Sequence, residues 1–264
     1  MVRVGFELNC YEDLLRTGIE AGYQFVPFAA IGRETSARSC LLRHDVDSEL
    51  LGCDAMLDVE KSLGVTATYF LMTRSTAYNL FSVEATAMVA RMLRDGHRIG
   101  LHFMGERCEG KSLSHVIDEV LRETRWLEQE FGTKIEAVSF HQPTQAILEA
   151  QIDIPGLLNT YNAEQMAPYF YVSDTNMTWR HEHPAEIFSR GLHERLQLLI
   201  HPMWWTPGPQ ETLDKWRSVL RNNQRAVIEH WRSRERTLAN IEDPFSDVSA
   251  GPCVVQAIGK IPVR

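Results

Sequence analysis

Short apolar runs and longer stretches with helical spacing alternate along the chain. The clearest helical stretch is Leu113 to Phe131, where the apolar residues form one stripe that Gly132 ends. Similar spacing predicts helices at 11–21, 54–63, 83–93 and 211–238. Strand-like apolar runs lie at 23–26, 41–44, 67–71, 98–102, 138–141, 169–173 and 196–201. This alternation predicts a parallel sheet with right-handed helical crossovers.

Several of the strand-like runs end in residues that can bind a metal. An early run ends in Asp45 and Asp47, which point to the same side of a strand, and later runs end in His102, His141 and His201. Two carboxylates on one face repel each other unless a cation or a shared proton intervenes. Because parallel sheets gather function at their carboxyl ends, we expect one metal site, in a closed sheet. The simpler alternative is a solvated strand end in which Asp47 or Ser48 caps the next helix.

The composition narrows the class of protein. At 264 residues we expect one barrel domain over 1–264, with a helical lead-in over about 1–38 and a C-terminal helix and tail over about 210–264. The net charge of -8 disfavours nucleic-acid and anionic-membrane partners. No membrane-length apolar stretch and no signal-peptide core are present, which predicts a cytoplasmic protein. The five scattered cysteines indicate neither a disulfide framework nor a thiolate zinc site.

The strand-end motifs, taken together, resemble a known family. In chain order they are Arg43-His44-Asp45-Val46-Asp47, Gly96-His97-Arg98-Ile99-Gly100-Leu101-His102, Ser139-Phe140-His141-Gln142-Pro143, Ser173-Asp174 and Leu198-Leu199-Ile200-His201-Pro202. The series is similar to the polysaccharide deacetylase superfamily, or NodB-homology and family-4 carbohydrate esterase group, in its branch with an H-D-V-D first motif. The resemblance implies a distorted, incomplete (β/α)7 TIM-like barrel. It also implies a divalent metal, usually Zn2+, and a hydrolase that removes an N-acetyl group from an amino sugar.

The resemblance also implies a role for each matching residue. Asp45 matches the catalytic base, Asp47 and His102 match metal ligands, His201 matches the general acid and Asp174 matches an aspartate that orients the catalytic groups. With a metal polarising the acetamide, the base would take a proton from water and the acid would protonate the departing amine. The products would be acetate and a free amino sugar. A small-molecule amino sugar is thus the expected partner, and the oligomeric state stays open.

Two departures from the family pattern leave the third metal ligand open. Glu106 stands where the second histidine of the family's H-x-x-x-H motif is expected, and His141 stands where the third motif normally has arginine. A set of Asp47, His102 and His141 is typical of catalytic zinc. With Glu106 instead, the harder set would also accept iron or manganese. We favour His141, because it ends a neighbouring strand and offers a neutral imidazole.

Four residues near the motifs are candidates for contact with the sugar, namely Trp204, Arg180, Asn159 and Tyr161. Trp204 and its neighbour Trp205 follow the expected acid and offer an apolar wall for the acetyl methyl or a sugar face. Two tryptophans near a strand end are equally typical of core packing. Arg180 follows the fourth motif and could orient its aspartate or meet an anionic group of the substrate.

Two other functions fit the same motifs. The altered third motif is compatible with hydrolysis of another non-peptide C–N bond, such as an N-formyl group or a cyclic amide. The missing histidine is compatible with a deacetylase-like protein that binds a ligand without catalysis. Retention of Asp45, Asp47, His102 and His201 together argues against loss of the metal. The sequence does not identify the sugar or its carrier.

Overall fold

A computed structural model describes residues 5–33 and 36–238 of the chain. The chain divides into two compact units, residues 1–220 and residues 221–264, and the structure describes residues 221–238 of the second. The first unit carries all the motifs described above. The predicted C-terminal tail beyond residue 238 lies outside the described residues.

Parallel strands form the sheet of the first unit. In the described residues they are β1 (Gln24–Phe25), β2 (Ser39–Val46), β3 (Thr68–Leu71), β4 (Arg98–Met104), β5 (Ala137–His141), β6 (Leu158–Asn159), β7 (Phe170–Ser173) and β8 (Arg195–Ile200). Their order across the sheet is β6, β5, β4, β3, β2, β8, β7, and β1 pairs with the start of β2. The seven strands of this path curl into a distorted, incomplete (β/α)7 barrel, which confirms the predicted fold class.

Helices alternate with these strands. In the described residues they are α1 (Leu8–Glu20), α2 (Asp54–Leu63), α3 (Val83–Arg94), α4 (Leu113–Phe131), α5 (Gln145–Ala150), α6 (Ala163–Met166), α7 (Pro184–Arg190) and α8 (Thr212–Arg232). The predicted stops of α2 and α4 are Gly64 and Gly132, which both take the left-handed conformation that ends a helix. Among the described helices, none is both long and apolar enough to cross a lipid bilayer.

The two faces of the strands pack into separate apolar clusters. A large cluster joins the outer face of the sheet to the helices and includes Leu42 and Val46 of β2. A smaller one includes Leu41 of β2, Phe70 of β3 and Ala137 of β5. Because side chains alternate along a strand, the residues after Leu41 at every second position share its face. The inner face of β2 therefore begins apolar and becomes charged toward its carboxyl end.

Close packing inside the sheet explains one glycine of the second motif. A Cβ atom at Gly100 would lie 2.6 Å from the ring of Phe70 and 3.1 Å from the carbonyl oxygen of Ala137. Both contacts are shorter than real Cβ atoms ordinarily make, so this position in β4 has no room for a side chain. The missing side chain lets the Phe70 ring fill the space below the strand ends.

Candidate active site

Three side chains with metal-binding groups meet near the carboxyl ends of three strands. Asp47 directly follows β2, His102 lies near the end of β4, and His141 is the last residue of β5. The Nε2 atom of His102 lies 2.9 Å from Oδ1 of Asp47, and the Nδ1 atom of His141 lies 3.2 Å from the same oxygen. The three ligand atoms all lie within 4.8 Å of one another. They are within reach of a single small cation.

The chemistry of these groups also suits a cation. Burial raises the pKa of Asp47, but the hydrogen bonds with His102 and His141 outweigh burial and hold this pKa well below its usual range. The hydrogen bond with Asp47 in turn raises the pKa of His141. One carboxylate and two imidazoles form a donor set that zinc accepts, with room for a further ligand. The residues present therefore fit the metal that the resemblance implies.

Glu106 does not join this group. It lies in the turn after β4 with an exposed side chain. Within the described part of the chain, the group able to share one cation consists of Asp47, His102 and His141. The charge of Glu106 still contributes to raising the pKa of His141. The geometry favours His141 as the third ligand, and this assignment stays a prediction.

Asp45 is buried beside the metal-binding group, and its two oxygens have different surroundings. Oδ2 accepts a hydrogen bond from Nη2 of Arg43 at 2.7 Å and one from Oγ of Ser139 at 3.1 Å. Oδ1 is buried without a hydrogen-bond partner among the described residues. Burial raises the pKa of Asp45, but the charges of Arg43, His102 and His201 together outweigh burial, so the pKa lies below its usual range. Asp45 is thus ionised, with one oxygen held and the other free to accept a proton.

Arg43 lies inside the barrel, although the sequence prediction gave it no role. Its side chain is 1% exposed. Its guanidinium carbon lies 5.4 Å from the ring centre of Phe70 and 5.6 Å from that of Tyr161. Arg43 and Asp45 are two residues apart on β2, and this spacing places both on the same side of the strand. The third motif has His141 in place of arginine, but a guanidinium reaches the expected base from β2 instead.

His201 and Asp174 form a tight pair at the ends of β8 and β7. The Nδ1 atom of His201 lies 2.6 Å from Oδ1 of Asp174, and its Nε2 atom lies 4.0 Å from Oδ2 of Asp47. Asp174 is fully buried, and it also accepts hydrogen bonds from the backbone N–H of His201 and the indole N–H of Trp205. Burial lowers the pKa of His201, but Asp174 outweighs burial and raises this pKa to about 9. His201 is therefore protonated at neutral pH.

The candidate sugar-binding residues lie in different surroundings. The amide of Asn159 is occupied by the backbone, since Nδ2 donates to the carbonyl of Ile152 at 2.9 Å and Oδ1 accepts from the N–H of Tyr161 at 3.0 Å. Trp204 is buried and Arg180 is exposed. Tyr161 is half-buried and contacts the guanidinium of the buried arginine below the base. The part that any of them takes in sugar binding stays a prediction.

Trp205 holds the carboxylate of Asp174 by a hydrogen bond. The indole N–H of Trp205 donates to Oδ2 of Asp174 at 2.9 Å, and the Trp205 side chain is buried. After Asp174 the chain turns through Asn176 and Met177, which both have positive φ angles, and Arg180 lies beyond them on the surface. In the described structure the hydrogen bonds of the Asp174 carboxylate come from His201 and Trp205, and a role for Arg180 toward Asp174 or an anionic group of the substrate stays a prediction.

No protein-family model matches the chain, and no curated protein does. Among solved structures, Streptococcus pyogenes deacetylase PplD aligns with 80% of this chain and 85% of its own, at 14% identity and a TM-score of 0.44. A family 4 carbohydrate esterase from Bacillus anthracis aligns with 82% of this chain and 86% of its own, at 16% identity and a TM-score of 0.42. A family 4 pseudoenzyme from Bacillus anthracis aligns with 71% of this chain and 60% of its own, at 14% identity and a TM-score of 0.39.

These solved structures come from the family that the motifs resemble. Their identities and TM-scores are too low to carry an argument about the activity of this chain, and one of them is a pseudoenzyme. The case for an activity rests on the residues of the site.

Proposed function

We propose that this protein is a metal-dependent hydrolase that removes an N-acetyl group from an amino sugar and releases acetate and a free amine. One observation carries the proposal. A metal-binding group, an ionised carboxylate with a free oxygen and a protonated imidazole converge at one end of the barrel. All three functions assist hydrolysis of an unactivated amide by water, because water is a weak nucleophile, the amide carbonyl is a weak electrophile and an unprotonated amide anion is a poor leaving group.

The cation would be held by Asp47, His102 and His141. When bound, a divalent ion such as zinc supplies Lewis acidity, which polarises an amide carbonyl and makes water more acidic. Two of these ligands lie on β4 and β5, and Asp47 directly follows β2 of the same continuous sheet. Their spacing is therefore set mainly by strand pairing, as a preorganised site requires.

Asp45 would act as the general base. Its Oδ1 atom takes the proton of the attacking water, and Oδ2 stays bound to Arg43 and Ser139. Because both partners hold the same oxygen, the carboxylate cannot rotate without breaking two hydrogen bonds. The orientation of the accepting oxygen is thus set before substrate binds.

His201 would act as the general acid. It carries its proton at neutral pH, and its Nε2 atom faces the metal-binding group while Nδ1 is held by Asp174. Protonation of the amide nitrogen by Nε2–H allows the C–N bond to break, with the electron pair leaving on nitrogen. Acetate keeps the oxygen from water and the sugar leaves as an amine, so atoms and charge balance.

The proposal is tested with the purified full-length protein, loaded with zinc and incubated with N-acetylated hexosamines, free and glycosidically linked. We expect acetate release that stops in Asp45→Asn and in Asp47→Ala, with bound zinc retained by the first variant and lost by the second. N-formylated analogues are run in parallel. Formate release without acetate release would favour the alternative function, hydrolysis of an N-formyl group. Zinc binding without turnover of any analogue would overturn the proposal and indicate a binding protein.

A further inference from the structure

A second cluster of titratable groups lies behind the catalytic strand and has no part in the mechanism above. Its centre is the carboxylate of Glu60 on α2, which is 0% exposed. Oε1 of Glu60 lies 2.6 Å from Nε2 of His44 and accepts a hydrogen bond from the hydroxyl of Tyr11. Oε2 accepts a hydrogen bond from the hydroxyl of Tyr69 at 2.7 Å. Elements α1, α2, β2 and β3 thus meet at one buried carboxylate.

Glu60 is charged within this cluster. Burial raises its pKa, but the charge and hydrogen bond of His44 outweigh burial, and the pKa lies below its usual range. Nδ1 of the nearby His97 lies 3.5 Å from Oε2 of Glu60, but this atom accepts a hydrogen bond from the N–H of Ala67 at 3.1 Å, and burial lowers the pKa of this histidine. A buried charge is costly unless it is fully hydrogen-bonded, so Glu60 depends strongly on its three donors.

One connection leads from Glu60 to the base. His44 stands between Arg43 and Asp45 on β2, and strand alternation sends its ring to the helical side while their side chains face the barrel interior. The His44 ring also packs on the ring of Tyr69, with centres 4.4 Å apart. Glu60 therefore binds β2, the strand that carries Asp45, on the face opposite to Asp45.

A second connection leads from Glu60 to the acid. The ring of Tyr11 packs against the ring of Trp205, with centres 5.3 Å apart. The indole N–H of Trp205 donates to Asp174, which holds His201. The hydroxyl of Tyr11 binds Glu60 and its ring packs on Trp205, so the Tyr11 side chain links Glu60 to Trp205.

We propose that Glu60 is a positioning residue that sets the base and the acid of the site relative to each other. It acts on Asp45 through His44 and on His201 through Tyr11, Trp205 and Asp174. This inference rests on the proposed function, because the two groups it aligns are those that would move protons. Among the described residues, the hydrogen bonds and ion pairs of Glu60 involve Tyr11, His44, Tyr69 and His97, and none of these is a proposed metal ligand.

Two pairs of variants of the zinc-loaded full-length protein test the proposal. The first pair is Glu60→Gln and Glu123→Gln, the same change at a second buried glutamate that binds Thr73 and Arg74. We expect Glu60→Gln to lower kcat about 10- to 100-fold with little change in KM, since misplacement of about 1 Å costs that order. Glu123→Gln should keep the kcat of the parent protein, even if its denaturation midpoint falls as much as that of Glu60→Gln.

The second pair is Tyr11→Phe and Tyr69→Phe, which each remove one hydroxyl from the same carboxylate. Tyr11 belongs to the connection that reaches His201, and Tyr69 does not contact Trp205 in the described structure. We expect a larger loss of kcat in Tyr11→Phe than in Tyr69→Phe. This pair carries the test if Glu60→Gln does not fold.

A spectroscopic readout separates this inference from the proposed function. The indole N–H resonance of Trp205, assigned by its loss in Trp205→Phe, is followed with and without zinc. We expect it to shift or broaden in Glu60→Gln and to stay unchanged in Glu123→Gln. An unchanged resonance together with an unchanged kcat would overturn the positioning role. If the parent protein hydrolyses no amide, the proposed function fails, while the resonance still reports whether Glu60 holds Trp205.

Discussion

At Asp45, the unequal surroundings of the two carboxylate oxygens determine how the site should respond to pH. Arg43 and Ser139 both bind Oδ2, and the charge of Arg43 is the largest of those that lower the pKa of Asp45 against the effect of burial. A lowered pKa keeps the base ionised in mildly acidic solution. The same charge makes Asp45 a weaker base. The position of the acidic limb in the pH profile of kcat/KM therefore reports on the ion pair between Arg43 and Asp45.

Replacement of Arg43 by methionine should move that limb. Without the guanidinium, burial dominates and raises the pKa of Asp45, so the rise of kcat/KM with pH should shift to higher pH. The buried carboxylate also loses its counter-ion, which costs about 3 to 5 kcal/mol of folding free energy. A pH–rate profile and a urea titration measure the two effects. Ser139→Ala is the control, since it removes a neutral donor from the same oxygen and should shift the limb less.

Replacement of Asp174 by asparagine should move the opposite limb. In the proposed mechanism the protonated form of His201 is the active one, so activity should fall as pH rises through its pKa. Asp174 is the group that raises this pKa, and its neutral replacement should shift the alkaline fall of kcat to lower pH. The same profile at several pH values measures the shift. An alkaline limb that does not move would contradict the role of His201 as acid.

The strand-end acids and histidines were predictable, because residues at the carboxyl ends of parallel strands share one edge of the sheet. Arg43 was missed, although its two-residue spacing from Asp45 is visible in the sequence. The occupied amide of Asn159 could not be predicted, since it depends on how the chain near Ile152 folds back. Sequence spacing thus predicts which residues share a face of a strand, but it does not reveal which loop atoms form hydrogen bonds with their polar groups.

Among the elements, β4 offers a direct test of packing inside the barrel. Alanine at Gly100 would place its Cβ 2.6 Å from the Phe70 ring. We expect Gly100→Ala to lower the free energy of unfolding by about 1 to 3 kcal/mol, as overpacked cores do. Chemical denaturation measures the loss. Adding Phe70→Leu should recover part of it, and equal stability of Gly100→Ala and the parent protein would contradict the contact.

The length of an element decided whether the sequence could predict it. α4 has 19 residues and a full apolar stripe, so its bounds were predicted correctly. α5, α6 and α7 have 6, 4 and 7 residues, too few to show a helical period, and they were not predicted. α7 did carry a local signal, because Pro184 occupies its first turn. α8 ends at Arg232, earlier than its spacing suggested.

For the whole molecule, metal binding should be coupled to folding. The cation is proposed to bind side chains that only the folded sheet brings together, so zinc should stabilise the native state. At a free concentration about 100 times Kd the gain is about 2.7 kcal/mol. Thermal unfolding with and without zinc measures it. Asp47→Ala should abolish the zinc-dependent rise in Tm, and an equal rise in this variant would place the metal elsewhere.

The alternation of apolar runs and helical stripes in the sequence predicted the fold class. It did not predict the order of the strands across the sheet. β2 pairs with β3 on one side and β8 on the other, so the strand with the expected base lies inside the sheet and not at an edge. Pairings between strands far apart in the chain depend on helix packing, which periodicity does not encode. The two-residue strand β6 was beyond the reach of a period-two pattern, whereas β1 lies within the strand-like run predicted at 23–26.

The location of Arg43 and Asp45 on one interior strand has a practical consequence for protein engineering. A base and its counter-ion that share a strand keep their geometry when segments at the mouth of the barrel are exchanged. If the proposed function holds, libraries that graft or randomise those connecting segments should alter which substrates are accepted while proton transfer survives. Selection for new acyl donors would begin from a working catalyst instead of having to rebuild one.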